Sequence, residues 1–301
     1  MDNFRIPLGD WVADGLNWFK ETFDGFLDFV TLIVKFLVEG LADGLTAVPF
    51  AVLIIVFALI GWLLRSWQLA LGTIVTMLLI VAMDQWENAM LTLALVLVAA
   101  VIAIVIAIPL GIAAARNDTF SAILKPVLDF MQTMPAFVYL IPAVIFFSIG
   151  FVPGVFATVL FSVAPGVRFT ELGIRGVDSE TVEAGYAFGA APGRILRGIQ
   201  LPLAMPTIMA GINQVIMLAL SMAVVAGMAG ANGLGKEVVA AISTLDIAQG
   251  VEAGLSVVIL AVFLDRVTAA LGNPGDYKHS LLGSLRKRRD ARRTQSMAKA
   301  A

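Results

Sequence analysis

Between Glu87 and Arg116 the chain carries no charged residue: residues 88 to 115 read NAMLTLALVLVAAVIAIVIAIPLGIAAA, with Asn88 and Thr92 as the polar exceptions. A run of roughly 20 apolar residues crosses a bilayer as a helix, and this one is long enough to project beyond the membrane at one end. Composition extends the conclusion to the whole chain. With 59% hydrophobic residues, 14% charged and a mean hydropathy of +0.93 over 301 residues, the apolar surface exceeds what a soluble core of this size needs. The fold expected is an all-α integral membrane protein.

About seven candidate spans of this kind follow one another, near 47–64, 68–83, 88–115, 134–150, 152–167, 201–226 and 251–271. Ahead of them, FLDFVTLIVKFLVEGLA (26–42) sets Asp28, Lys35 and Glu39 close to one helical face and Phe26, Phe29, Val30, Ile33, Phe36 and Leu37 around the other. That pattern is an amphipathic helix lying in the interface. Residues 1–25 carry no basic region before an apolar one, so insertion is directed by the spans themselves. The domains expected are an extracytoplasmic or interfacial segment (1–46), a transmembrane domain (47–272) containing a cytoplasmic loop (168–201), and a basic cytoplasmic tail (273–301).

Lys and Arg beside the spans set the orientation. Residues 1–46 hold Arg5, Lys20 and Lys35 against eight acids from Asp2 to Asp43, whereas the far end carries RKRRDARR (286–293). The tail is therefore expected in the cytoplasm and the head outside. With seven spans, Arg65, Arg116, Lys125, Arg168 and Arg175 also fall inside, while DQWEN (84–88) and GFVPG (150–154) fall outside. EAGYAFGAAPGRILRGIQLP (183–202) then lies in the cytoplasm, and its punctuation can be read physically. Asp178 or Ser179 caps a helix with Glu180 and Glu183 near its positive end, and Gly189 ends it in a left-handed conformation. Pro192 opens a second short helix running to Ile199, and Pro202 opens the next span. The product is a rigid helix–turn–helix knob held outside the membrane.

These residues carry a resemblance. Glu183-Ala184-Gly185, three residues, Gly189, nine residues, Ile199, one residue, Leu201-Pro202 resembles the EAA signature of ATP-binding-cassette importer permeases, with Gly185 in place of the second alanine. MQTMPAFVYLIPAV (131–144), PGVRFTELGIRGV (165–177), QLPLAMPTIMAGINQ (200–214) and MLALSMAVVAGM (217–228) are similar to the glycine betaine/proline betaine subfamily, over roughly residues 85–272. The resemblance implies a type I ABC importer permease fold in a bacterial or archaeal plasma membrane. It further implies a homodimer, a cytoplasmic ATPase dimer that binds ATP and Mg and docks on the knob as its coupling helix, and a substrate-binding protein or domain outside. No cofactor and no nucleic acid is expected on this chain.

Other features admit two readings. Met131, Met134, Phe137 and Tyr139 line a translocation pathway or pack around Pro135 and Pro142 as ordinary core. Asn213, Gln214 and Ser221 face a wet cavity or hydrogen-bond between helices. The tail residues Arg286, Lys287, Arg288, Arg289, Arg292 and Arg293 sense ionic strength through anionic lipid, or anchor the topology. GANGLGKE (230–237) has phosphate-loop spacing but places Glu237 where Ser or Thr belongs, so an external glycine-rich turn is expected. One histidine, His279, and no cysteine exclude thiol, triad and Cys-ligated metal chemistry. A gradient-driven transporter would need more charge inside the spans.

Overall fold

The computed structural model describes residues 6–272 and Ser280. The tail 286–293 and His279 lie outside the described residues. Among the described residues thirteen α-helices succeed one another: α1 (Leu8–Thr22), α2 (Asp24–Ala47), α3 (Phe50–Leu64), α4 (Trp67–Ala82), α5 (Trp86–Arg116), α6 (Asp118–Thr133), α7 (Leu140–Phe147), α8 (Phe151–Arg175), α9 (Ser179–Ala187), α10 (Pro192–Ile195), α11 (Leu201–Ala226), α12 (Leu234–Thr244) and α13 (Ile247–Gly272). Short 3₁₀ turns precede α7 and follow α11.

The helix α8 is the centre, with 72% of its apolar window buried against 33% for α13. Its inner face places a small or hydroxylated residue every fourth position, at Gly154, Thr158, Ser162, Gly166 and Thr170. The hydroxyls of Thr158, Ser162 and Thr170 donate to carbonyls one turn back, at 2.6–2.8 Å, so none is left bare among apolar neighbours. The lack of bulk brings neighbours close. A Cβ on Gly166 would lie 2.7 Å from Ala107 of α5 and 3.0 Å from Val215 of α11, and one on Gly154 would lie 2.7 Å from Ala226. Such small-residue seams hold helices together where lipid offers no hydrophobic drive.

The pairings fix direction. Ala107 and Gly111 of α5 meet Gly166 and Thr170 in parallel register, whereas Ala204 and Ala226 of α11 meet Gly173 and Gly154 in antiparallel register. Asn213 of α11 bonds Asp265 of α13, and Arg65 at the end of α3 donates to the carbonyl of Arg266. Arg65, Arg116, Arg175, Arg266 and the 176–200 segment therefore share one end of the bundle. The turns at Asp84, Gly150 and 227–233 share the other, where the Gly150 N–H donates to the Ala229 carbonyl at 2.9 Å.

Four helices are long and apolar enough to span a membrane, or up to six with each bent pair counted as one, among the described residues. Seven candidate runs were expected. Three fall below the length of a single straight span: 47–64 shortens to the 15-residue α3, 68–83 forms the 16-residue α4, and 134–150 contributes a 3₁₀ turn and the 8-residue α7. Two bends stand out. The pair α2/α3 turns through 107° across Val48 and Pro49, and α6/α7 through 108° at Met134 and Pro135. Neither proline nor its predecessor continues a helix readily. The helix expected at 26–42 runs to Ala47, and its buried stripe is Leu27, Val34, Val38 and Ala42. Phe26, Phe29 and Phe36, placed by the pattern on the apolar face, are 58–76% exposed.

Candidate functional site

The segment between α8 and α11 folds as the knob that the sequence predicts. Asp178 accepts from the Glu180 N–H at 3.1 Å and from the Thr181 hydroxyl, capping α9. At the other end Gly189 takes φ +75°. The Ala190 N–H reaches the Gly185 carbonyl at 3.1 Å and the Gly189 N–H reaches Tyr186 at 2.9 Å, the paired bonds of a Schellman stop. Gly185 is buried, and a Cβ there would lie 2.7 Å from Cδ1 of Ile199, so the glycine in the alanine position seats that isoleucine. Glu183, Ala184 and Pro202 are exposed, and Ile199 and Leu201 are half-buried.

The second half of the knob differs from expectation. In place of a short helix ending before Pro202, α10 continues through a π turn (Leu196–Gln200) directly into α11. Pro202 lacks an N–H and crowds the preceding turn. The wider turn, in which the Leu201 N–H reaches back to Leu196, makes room for it. The second half of the knob and α11 thus form one rod, with α9 carried at its end. Leu196 anchors its base among Ile174, Ala204 and Ile208, with the ends of α5 and α8 packed around them. Its outer surface is aromatic: Phe188 is 92% exposed and Tyr186 53%. Loop 168–201 begins inside a helix, because α8 persists to Arg175.

The other candidate residues scatter. Tyr139 is buried, packs edge-on against Phe161 at 6.0 Å and donates its hydroxyl to the Met131 carbonyl across the α6/α7 break. Met134 packs on the same small cluster, whereas Phe137 is 58% exposed. Asn213 is fully engaged between helices: its amide donates to Asp265 at 3.0 Å and its oxygen accepts from Thr268. Ser221 is exposed and returns its hydroxyl to the Met217 carbonyl at 3.0 Å, and Gln214 is exposed. Asn213→Ala is expected to weaken the α11/α13 seam by about 1 kcal/mol, the scale of an interhelical hydrogen bond in a membrane bundle. Thermal unfolding of the detergent-solubilised protein would register it as a small drop.

Residues 230–233 form the turn between α11 and α12, with Gly230 at φ +86° and Gly233 at +119°, and residues 234–237 open α12. A helix precedes them, where a phosphate loop requires a strand. The Thr92 hydroxyl accepts from the Leu234 N–H and donates to Asn88, both at 2.8 Å, tying the turn to α5.

One constellation escapes the sequence reading. Ser121 donates to Glu171 at 2.6 Å, Arg175 pairs with Glu171 at 2.9 Å and with Asp118 at 2.7 Å, Lys125 approaches Glu171 at 3.6 Å, and Arg168 pairs with Asp129. Lys125, Asp129, Arg168, Glu171 and Arg175 border a cavity of about 380 Å³ together with Phe169 and Leu172. The available signal was periodic: positions 118, 121, 125 and 129 share one face of α6, and 168, 171 and 175 one face of α8.

The knob is integral with one long helix and seated on the ends of two others, in a bundle built on the plan of a transport permease. Its fold matches a chain of the inward-facing MetNI methionine ABC transporter, with a TM-score of 0.56 over 61% of this chain and 92% of that one, at 19% identity. Residues 107–272 match the binding-protein-dependent transport system inner membrane component family, and the chain belongs to it. It is 47% identical to the glycine betaine transport system permease protein OpuAB of Bacillus subtilis, over 88% of this chain and 94% of that one. It is 46% identical to the glycine betaine/proline betaine permease ProW of Escherichia coli, over 89% and 75%, and 48% identical to the glycine betaine/carnitine permease GbuB of Listeria monocytogenes, over 88% and 95%.

Proposed function

We propose that this chain is the transmembrane subunit of an ATP-driven importer for glycine betaine, proline betaine or a related osmoprotectant with a fully methylated nitrogen. The knob carries the reading. It is stopped by a left-handed glycine, anchored in the bundle by Leu196 and continuous through α10 with α11, and it presents Phe188 and the half-exposed Tyr186 as an apolar tip. Such a tip suits the cleft of a cytoplasmic ATPase, and a rod built this way moves as a lever.

In this reading ATP binding and hydrolysis take place on two copies of the partner. Two copies of this chain enclose the pathway, and a receptor delivers substrate from outside. Closure of the ATPases moves the knob and α11 together, opening the pathway outward; hydrolysis resets it. Glu183 offers an exposed carboxylate to the partner's surface. Phe137 offers an exposed ring face to a quaternary ammonium, an attraction weak enough to permit release. The arginine-rich end of the bundle faces the cytoplasm, and α2, crossing at the opposite end, lies along the outer interface.

Uptake of labelled glycine betaine decides the matter, in cells lacking other betaine importers and expressing this chain with its ATPase and receptor. Uptake is expected with the active ATPase and none with a hydrolysis-dead one. Persistence with the dead ATPase would favour a gradient-driven transporter.

A further inference from the structure

The polar rungs between α6 and α8 are matched in register. Asp118, Ser121, Lys125 and Asp129 climb one face of α6 while Arg175, Glu171 and Arg168 descend the facing side of α8. Beside the last rung the contact turns apolar, with Leu128 against Val163, Ala164 and Val167. The opposite face of α6 bears Ile123, Val127 and Phe130, each more than half exposed. Glu171 is the hub. Its side chain is only 8% exposed and meets a hydroxyl, an ammonium and a guanidinium, while Arg175 also donates to the Ala114 carbonyl of α5 at 2.7 Å. A carboxylate so buried in a membrane bundle is costly unless paired, so the rungs resist separation. The ladder stops at Asp129, and one turn later the helix breaks by 108°.

We infer that Glu171 is a positioning residue that locks the knob-end half of α6 to α8, so that displacement of the knob beyond Arg175 is delivered undiminished to the break at Met134–Pro135. The inference rests on the importer reading above. Below the break, α6, α8 and the base of the knob move as one body. Above it, α7 packs with the outer half of α8 in an apolar cluster that includes Leu140, Ala143, Phe156 and Ala157, a contact that can slide where the ion-paired rungs cannot. The break is then the joint, and the Tyr139 hydroxyl, bonded back to Met131 across it, reports its angle. A ladder serving only to hold helices together would leave the stoichiometry of transport untouched.

The test uses the full complex of permease, ATPase and receptor in liposomes, with substrate uptake and ATP hydrolysis measured together. Glu171→Gln is expected to preserve assembly and hydrolysis while uptake per ATP falls on the order of tenfold, the usual size of a coupling between sites. Because the chain has no cysteine, the rung can be rebuilt covalently. Ser121→Cys with Glu171→Cys, bridged by a short bifunctional thiosulfonate, is expected to recover uptake per ATP and to lose it again on reduction. An unchanged ratio in Glu171→Gln, or a bridged protein that hydrolyses ATP without uptake, overturns the inference. Should Glu171→Gln fail to assemble, Asp118→Asn and Asp129→Asn probe the outer rungs, whose carboxylates are 91% and 63% exposed, so folding is expected to tolerate their loss. A two- to threefold loss of uptake per ATP in each, roughly the scale of one exposed ion pair, supports the ladder, and no loss in either overturns it. Uptake by the unsubstituted complex with a hydrolysis-dead ATPase would overturn the importer reading itself, and is recognised before any substitution is made.

Discussion

Gly189→Asp is expected to insert and assemble normally in the membrane yet to import nothing above background, while Gly189→Ala retains part of its uptake. No atom lies within 4 Å of a Cβ built at this position, so space is not the obstacle. The backbone is, because φ is +75° and a left-handed residue other than glycine costs about 1–2 kcal/mol. Either substitution strains the Schellman stop and shifts Phe188, the residue immediately before it. Aspartate tolerates the left-handed region better than alanine does, so a backbone effect alone would make alanine the worse variant. Aspartate also sets a charge beside the apolar tip, and burying an unpaired carboxylate in a protein interface costs far more than the strain. The order of severity therefore distinguishes a docking surface from a mere turn. If Gly189→Ala transports less than Gly189→Asp, the tip does not dock. Uptake by the reconstituted complex, normalised to the permease present, reads the result.

The largest loss of stability is expected at the crossing of α11 and α12. A Cβ on Gly227 would lie 2.4 Å from the carbonyl carbon of Gly235 and 2.6 Å from the Lys236 nitrogen; one on Gly235 would lie 2.4 Å from the Ala223 oxygen. These are backbone atoms, and no rotamer relieves the clash. Gly227→Ala and Gly235→Ala are each expected to cost about 3 kcal/mol or more, the upper range for overpacking, and to cut the amount of folded protein several-fold. Gly254 in α13 has nothing within 4 Å of a Cβ, and Gly254→Ala should be neutral. Melting temperature in detergent separates the variants. Equal melting of Gly235→Ala and Gly254→Ala would show that the crossing loosens freely.

Local chemistry was legible in the sequence and distant pairing was not. Asp178, Gly189 and Pro192 each act within a few residues of themselves, through a cap, a left-handed φ and a fixed φ, and the structure places all three as their chemistry dictates. Pro202 misled because its effect depends on its neighbours: a π turn absorbs it, and the helix expected to start there had already begun. The stripe of α2 was read from hydrophobicity alone, which in a membrane does not distinguish lipid from protein. Phe29 and Phe36 are as apolar as Val34 and Val38, yet the larger side chains point away and the smaller ones pack. Glu171 escaped for the opposite reason. Its partners Ser121 and Lys125 come from another helix, and nothing local marks a glutamate in a helix as buried.

The close spacing around α8 leaves its three helices no slack. Where Gly166 sits against Ala107 and Val215, and Gly154 against Ala226, a slide of one residue would drive a methyl into a backbone. Shear between α5, α8 and α11 is therefore forbidden. Whatever opening the protein performs has to occur around this triple stack, at the break in α6/α7 or against a second copy. The stripe of glycine, serine and threonine thus makes a single body of three helices, one that turns as a piece or not at all.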